Sequence, residues 1–139
     1  IRKEKMILKI IKWFEKNYNI SWLITIIIAI FIFYISSISF PLDLEPRNPL
    51  KPYLYHFGIF LLFSFFLMLF SIRGKHKSYF YLSIFLSVLY AILDELHQSF
   101  VPFRDASISD VLTDSFGISF AILIYIISLV YRRNGNNKK

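Results

Sequence analysis

The sequence predicts an all-α integral membrane protein: a bundle of four transmembrane helices preceded by an N-terminal amphipathic helix at the membrane interface. Three observations predict it. Of 139 residues, 56% are hydrophobic and 19% aromatic, with 16 Phe and only 4 Gly, which is too apolar for an ordinary water-soluble domain. Four runs are long enough to cross about 30 Å of hydrocarbon at about 1.5 Å rise per helical residue. The basic and acidic residues also fall in different connections, as a fixed membrane orientation requires.

Residues 1–19 read as a separate element. On a helical wheel Lys5, Lys9, Lys12 and Lys16 share one face, and Ile7, Ile10, Ile11, Phe14 and Tyr18 the opposite one. That is the pattern of a helix lying on an anionic inner leaflet, with a basic flank that merely orients the first span as the plainer alternative. A cleavable signal peptide fits less well, because the apolar run is too long and Ser37-Ile38-Ser39 matches a cleavage site only loosely.

The first span, Tyr18 to Phe40, has no charged residue over 23 positions. The connection after it, residues 41–52, contains four prolines and cannot be helical throughout. Tyr53 to Ile72 is the second span and carries only His56. A basic connection follows, centred on Arg73 to Lys77. Ser78 to Leu93 is uncharged and continues helically to about Ser99, with Pro102 ending the third span in a short connection, Phe100 to Ala106. Ser115 to Tyr131 is uncharged, and the fourth span begins further back, near Ser107. The division is therefore a basic segment 1–19, a four-span domain 20–131 and a basic tail 132–139. The phenylalanines of the middle spans, Phe60, Phe63, Phe65, Phe66, Phe80 and Phe85, read as core packing or lipid contact.

The N-terminal segment, the second connection and the tail hold 13 of the 16 Lys and Arg. The first and third connections, with the helix ends beside them, hold 7 of the 9 acids and only Arg47, Lys51 and Arg104. The positive-inside rule then places both termini and the second connection in the cytoplasm, for a multi-pass protein of the plasma membrane. The net charge of +7 does not point to nucleic acid, because the basic residues alternate with apolar spans and form no continuous stripe. The absence of cysteine excludes disulfides, thiolate metal sites and cysteine nucleophiles. The partners implied are membrane lipids, including the anionic inner leaflet against residues 1–19.

The most informative stretch is Asp94 to Gly117, which places five carboxylates, an arginine, a histidine and a glutamine between two spanning runs. Ionisable groups near lipid are expensive and tend to be kept for function. The topology brings His56, at the start of span two, to the outer side with Asp94, Glu95, His97 and Gln98 at the end of span three. Asp105, Ser107, Asp110 and Asp114 begin span four from that same side. Asp94, His97 and Gln98 fall at i, i+3 and i+4 and share a face, with Glu95 turned about 100° away. Asp110, Asp114, Gly117 and Ala121 share a face of span four, where small residues admit a close neighbour. The simplest assembly turns these two stripes toward each other. Asp114 lies roughly 10 Å below the helix start, where a lone carboxylate costs about 2.5–3.5 kcal/mol, so it should be paired, protonated or beside water.

Structural readings stand beside these. Ser107-Ile108-Ser109-Asp110 fits a capping box. Arg104 and Asp105 also read as a solvated loop pair, His56 as an interfacial histidine, and Glu95 as a residue facing headgroups. Asp94, His97, Gln98 and Asp114 also fit a purely structural polar network.

The run resembles the VanZ-like family of small polytopic membrane proteins, whose pattern is roughly D-E-x-x-Q-x-F-x-P-G-R-x-x-S-x-x-D-x-x-x-N-x-x-G. The matches are Asp94, Glu95, Gln98, Phe100, Pro102, Arg104, Ser107, Asp110 and Gly117. An earlier K-x-x-H-F-type signature looks like Lys51 with His56-Phe57-Gly58, at looser spacing. The resemblance covers about residues 20–131. Phe103 stands where the family has glycine, which puts in question a tight turn returning Arg104. Asp114 stands in place of the family asparagine and adds negative charge. The name-giving member is associated with resistance to a glycopeptide antibiotic that targets envelope precursors, so the resemblance implies an envelope role at the outer membrane face.

Three functions follow. In the first, the protein is a membrane enzyme acting on an envelope lipid or lipid-linked precursor headgroup. Asp94, Glu95, His97 and Asp114 would then be candidate catalytic groups, and Arg104, His56, Gln98, Asp105, Ser107, Asp110 and Lys51 ligand contacts. A divalent cation bound by the carboxylates belongs to this reading, although the chain lacks H-E-x-x-H, G-x-S-x-G and a P-loop. In the second, the same outer pocket binds or shields a ligand without turnover. The third is a small transporter using Asp114, Asp94 and His97 as a relay, against which the cytoplasmic halves of the spans offer no ionisable partner.

Overall fold

The computed structural model describes residues 2–39, 50–72, 77–104 and 106–136. Five helices make up the described chain: α1 (Arg2–Lys16), α2 (Tyr18–Ser36), α3 (Leu50–Ile72), α4 (Lys77–Gln98) and α5 (Ile108–Asn136). The all-α class stands, and α2 to α5 are each long and apolar enough to cross a membrane.

The helix ends follow local chemistry. α2 ends at Ser36, where the bonding tightens: the Ser37 hydroxyl turns back to the Phe33 carbonyl at 2.7 Å and the Ile38 amide bonds Ile35 O three residues back at 3.2 Å. α3 starts at Leu50, three residues earlier than the apolar run suggests, and includes Pro52. A proline is tolerated in the first turn, where its missing N–H has no helical acceptor. α4 closes at Gln98 through a chain of turn bonds ahead of Pro102. α5 spans 29 residues, about 44 Å, longer than the roughly 30 Å of hydrocarbon requires.

α3 is the hub and packs against every other helix, whereas α2 and α5 do not meet among the described residues. One core cluster joins Ile32 of α2 to Phe60, Phe63 and Leu67 of α3, Ala91 of α4 and Ile118 of α5. Gly117 sets the α3–α5 spacing: a Cβ there would collide with the Phe57 carbonyl oxygen and stand 3.1 Å from the Leu61 nitrogen. The small-residue face of span four is therefore turned toward α3. Large apolar side chains such as Phe85, Phe116 and Tyr131 point outward, as lipid permits.

α1 does more than lie beside the bundle. Ile11 is buried with Met68, Leu69 and Ile72 of α3 and Ala121 and Tyr125 of α5, and Phe14 meets Phe66 edge-on at 5.3 Å. The Glu15 carboxylate accepts from Tyr125 Oη at 3.0 Å and pairs with Arg132 at 2.7 Å. Lys9, Lys12 and Lys16 stay exposed, as do Ile7, Ile10 and Trp13.

Candidate functional site

The polar side chains gather at the end of the bundle opposite α1, each placed by a different element. His56 lies in the second turn of α3, and its Nδ1–H donates to Asp114 Oδ1 of α5 at 2.9 Å. His56 is 4% exposed and Asp114 is fully buried. The pairing answers the expectation for Asp114: a carboxylate drawn under apolar surroundings needs a partner of its own.

The last turn of α4 supplies the second group. Gln98 Nε2 donates to Asp94 Oδ2 at 2.9 Å and to Ser36 Oγ of α2 at 3.3 Å. The Gln98 carbonyl accepts from Arg104 Nη1 at 3.5 Å. Arg104 then reaches α2, with Nη2 donating to Ile35 O at 2.6 Å and Nε to Ile38 O at 3.2 Å. The guanidinium thus caps the C-terminal end of α2, sharing the Ile35 carbonyl with the Ile38 amide, and a cation there also complements the helix dipole. The turn that permits this return passes through Phe103 at φ 62°, so the left-handed conformation is kept without glycine.

Glu95 supplies the third. Its Oε2 accepts from the Ser107 backbone N–H at 3.1 Å, and it is 5% exposed, so it faces the interior rather than the headgroups. In a capping box the reciprocal bond to the cap amide would come from Asp110. Here Glu95 of α4 makes that bond across the helix interface, while Ser107 Oγ accepts from the Ser109 amide at 3.1 Å and also bonds Ser109 Oγ. Asp110 lies half-buried one turn before Asp114.

The structure therefore unites His56, Asp94, Glu95, Gln98 and Asp114, links Arg104 through Gln98, and seats Ser107 on Glu95. It corrects two faces. The α5 stripe meets α3, not α4. His97 turns from the cluster to α2, where Nε2 is 2.9 Å from Ser37 Oγ and the ring stacks on Phe33 at 4.6 Å. Lys51 is exposed in the first turn of α3, and Asp105 lies outside the described residues. Sequence reasoning missed Ser36 and the Ile35 and Ile38 carbonyls. The available signal was Ser36-Ser37, a polar pair at the C-terminal end of an otherwise apolar span.

Two features bear on ligands. One ring nitrogen of His56 and one carboxylate oxygen each from Asp94 and Glu95 lie within 4.8 Å of one another, a set able to hold a metal ion. Glu95 Oε1 and Asp114 Oδ2 are buried with no hydrogen-bond partner among the described residues. Beside the cluster, an apolar groove of about 430 Å³ runs between α3 and α5, lined by Leu50, Tyr53, Leu54, Phe57, Thr113 and Phe116.

A sequence profile described as VanZ/LLP1 matches residues 8–130. No curated protein and no solved structure matches the chain.

Proposed function

The chain belongs to the VanZ/LLP1 family, matched over residues 8–130, and on that premise we propose that it captures the headgroup of a cell-envelope lipid or lipid-linked precursor at the outer face of the plasma membrane. The observation that carries this reading is the buried set of His56, Asp94, Glu95, Gln98 and Asp114 at one end of an otherwise apolar bundle. Burying three carboxylates within membrane-spanning helices costs several kcal/mol per uncompensated charge, so a site that keeps them has a use for them. The charge segregation supports an outward orientation for this end, with α1 and its exposed lysines against the anionic inner leaflet.

The adjoining α3–α5 groove supports a lipid ligand. Phe57 and Thr113 in its wall are the sequence neighbours of His56 and Asp114, so an acyl or prenyl chain lying there would deliver its headgroup to the cluster. Capture alone suffices to shield a precursor from a glycopeptide, which is how the reading connects to antibiotic resistance.

The test is thermal unfolding of the purified, detergent-solubilised protein titrated with phosphatidylglycerol, phosphatidylethanolamine and a polyprenyl phosphate. A ligand at 100 times its Kd stabilises by about 2.7 kcal/mol. The reading expects a saturable rise in Tm with at least one of them, reduced in Asp114→Asn. A Tm unmoved by all three would remove it.

A further inference from the structure

We infer that His56, Asp94 and Glu95 form a site for a divalent transition-metal cation of the zinc or manganese class, with Asp114 as the residue that positions the histidine. The three offer ligand atoms within 4.8 Å of one another, and all three are buried. A tetrahedral ion about 2.1 Å from each ligand spaces them roughly 3.4 Å apart, so the set closes with shifts of little more than 1 Å.

What raises this above a cluster of acids is the layer behind it. Each ligand is held by a second group: His56 Nδ1 by Asp114 at 2.9 Å, Asp94 Oδ2 by Gln98 at 2.9 Å, and Glu95 Oε2 by the Ser107 amide at 3.1 Å. A carboxylate bonded to one ring N–H leaves the other nitrogen with its lone pair, the arrangement that orients metal-binding histidines. Glu95 Oε1, by contrast, is buried with no partner among the described residues, although its sister oxygen is engaged. A buried carboxylate oxygen left open carries a substantial desolvation penalty, and a cation removes it.

The donor set selects the metal. One imidazole and two carboxylates without thiolate suit zinc or manganese, whereas magnesium and calcium prefer all-oxygen shells. Three protein ligands leave positions open for a ligand oxygen. This deepens the headgroup reading and rests on it only for purpose: a phosphate entering the acidic cluster needs a cation between the like charges.

Metal binding is measured on the full chain in detergent with no lipid added, so its outcome is separate from that of the headgroup titration. After chelator treatment, Zn²⁺, Mn²⁺ and Mg²⁺ are titrated by calorimetry and metal content is determined after desalting. Binding near one ion per chain is expected for Zn²⁺ or Mn²⁺, abolished in Glu95→Gln and His56→Ala and retained in His97→Ala, whose ring faces α2. Asp114→Asn should weaken binding by about 10–100-fold without changing the stoichiometry. Because a core variant can fail to fold, Mn²⁺ electron paramagnetic resonance of the wild type provides a second reading, with the bound spectrum displaced stoichiometrically by Zn²⁺. Absence of saturable Zn²⁺ or Mn²⁺ binding by the wild type, or binding unchanged in both Glu95→Gln and His56→Ala, overturns the inference.

Discussion

Phe103 shows how a single residue sets the geometry of the third connection. A left-handed backbone costs an L-residue about 1–2 kcal/mol, and Phe103 adopts one at φ 62° with a side chain 70% exposed. The strain is offset by what the turn delivers, the Arg104 guanidinium seated on the Ile35 and Ile38 carbonyls. Phe103→Gly should therefore raise stability by about 1 kcal/mol, read as a higher Tm in detergent, while the β-branched Phe103→Val should lower it. A glycine variant that melts earlier than the parent would show that the conformation is not under strain. The motif made Arg104's importance legible, but not its partners, because backbone carbonyls of a distant helix leave no trace in side-chain pattern. The same limit applies to Glu95 and His97. They lie two residues apart, about 200° on a helical wheel, so periodicity separates them without saying which one looks inward. That depends on where α2 and α3 stand, which is a tertiary fact.

The helices themselves were readable because an uncharged run of spanning length has few alternatives in lipid. Their pairing was less so. The stripe Asp114, Gly117, Ala121 announced a close approach, but the pattern alone pointed it at the polar face of α4 when the partner is α3. α3 takes that place because His56 lies across from Asp114 on the same seam that brings Phe57 against Gly117. Gly117→Ala tests the seam. The added methyl meets a backbone carbonyl that cannot rotate away, so α3 and α5 must separate. The expected loss is about 1–3 kcal/mol, with the His56–Asp114 bond lengthened and any ligand-induced rise in Tm diminished along with it. Gly58 is the internal control: nothing lies within 4 Å of a Cβ built there, so Gly58→Ala should leave stability unchanged or slightly improved. Equal effects at both glycines would mean that Gly117 does not set the helix spacing. α1 was legible as amphipathic, but its docking through Ile11 and Glu15 was not, since an apolar face reads alike whether it meets lipid or protein.

At the scale of the whole molecule, the proposed function stands on which way up the bundle is threaded. The basic residues lie in α1, in the second connection and at the end of α5, and the acidic cluster sits at the opposite end. Orientation by positive charge is a property of short connections, and the second and third connections are short enough for the rule to act. The chain has no cysteine, so introduced thiols report position against a silent background. Phe100, 79% exposed in the third connection, and Asn134, exposed near the end of α5, mark the two ends. With a membrane-impermeant maleimide on intact cells, Phe100→Cys should label fully and Asn134→Cys should stay unlabelled until the membrane is permeabilised. Adding lysines to the third connection should erode that difference, because the bias arises from the charge balance and not from the spans. The reverse labelling would place the carboxylate cluster against the cytoplasm. A metal site there would remain intact as a piece of chemistry, but an envelope ligand exposed only on the outer face could no longer reach it.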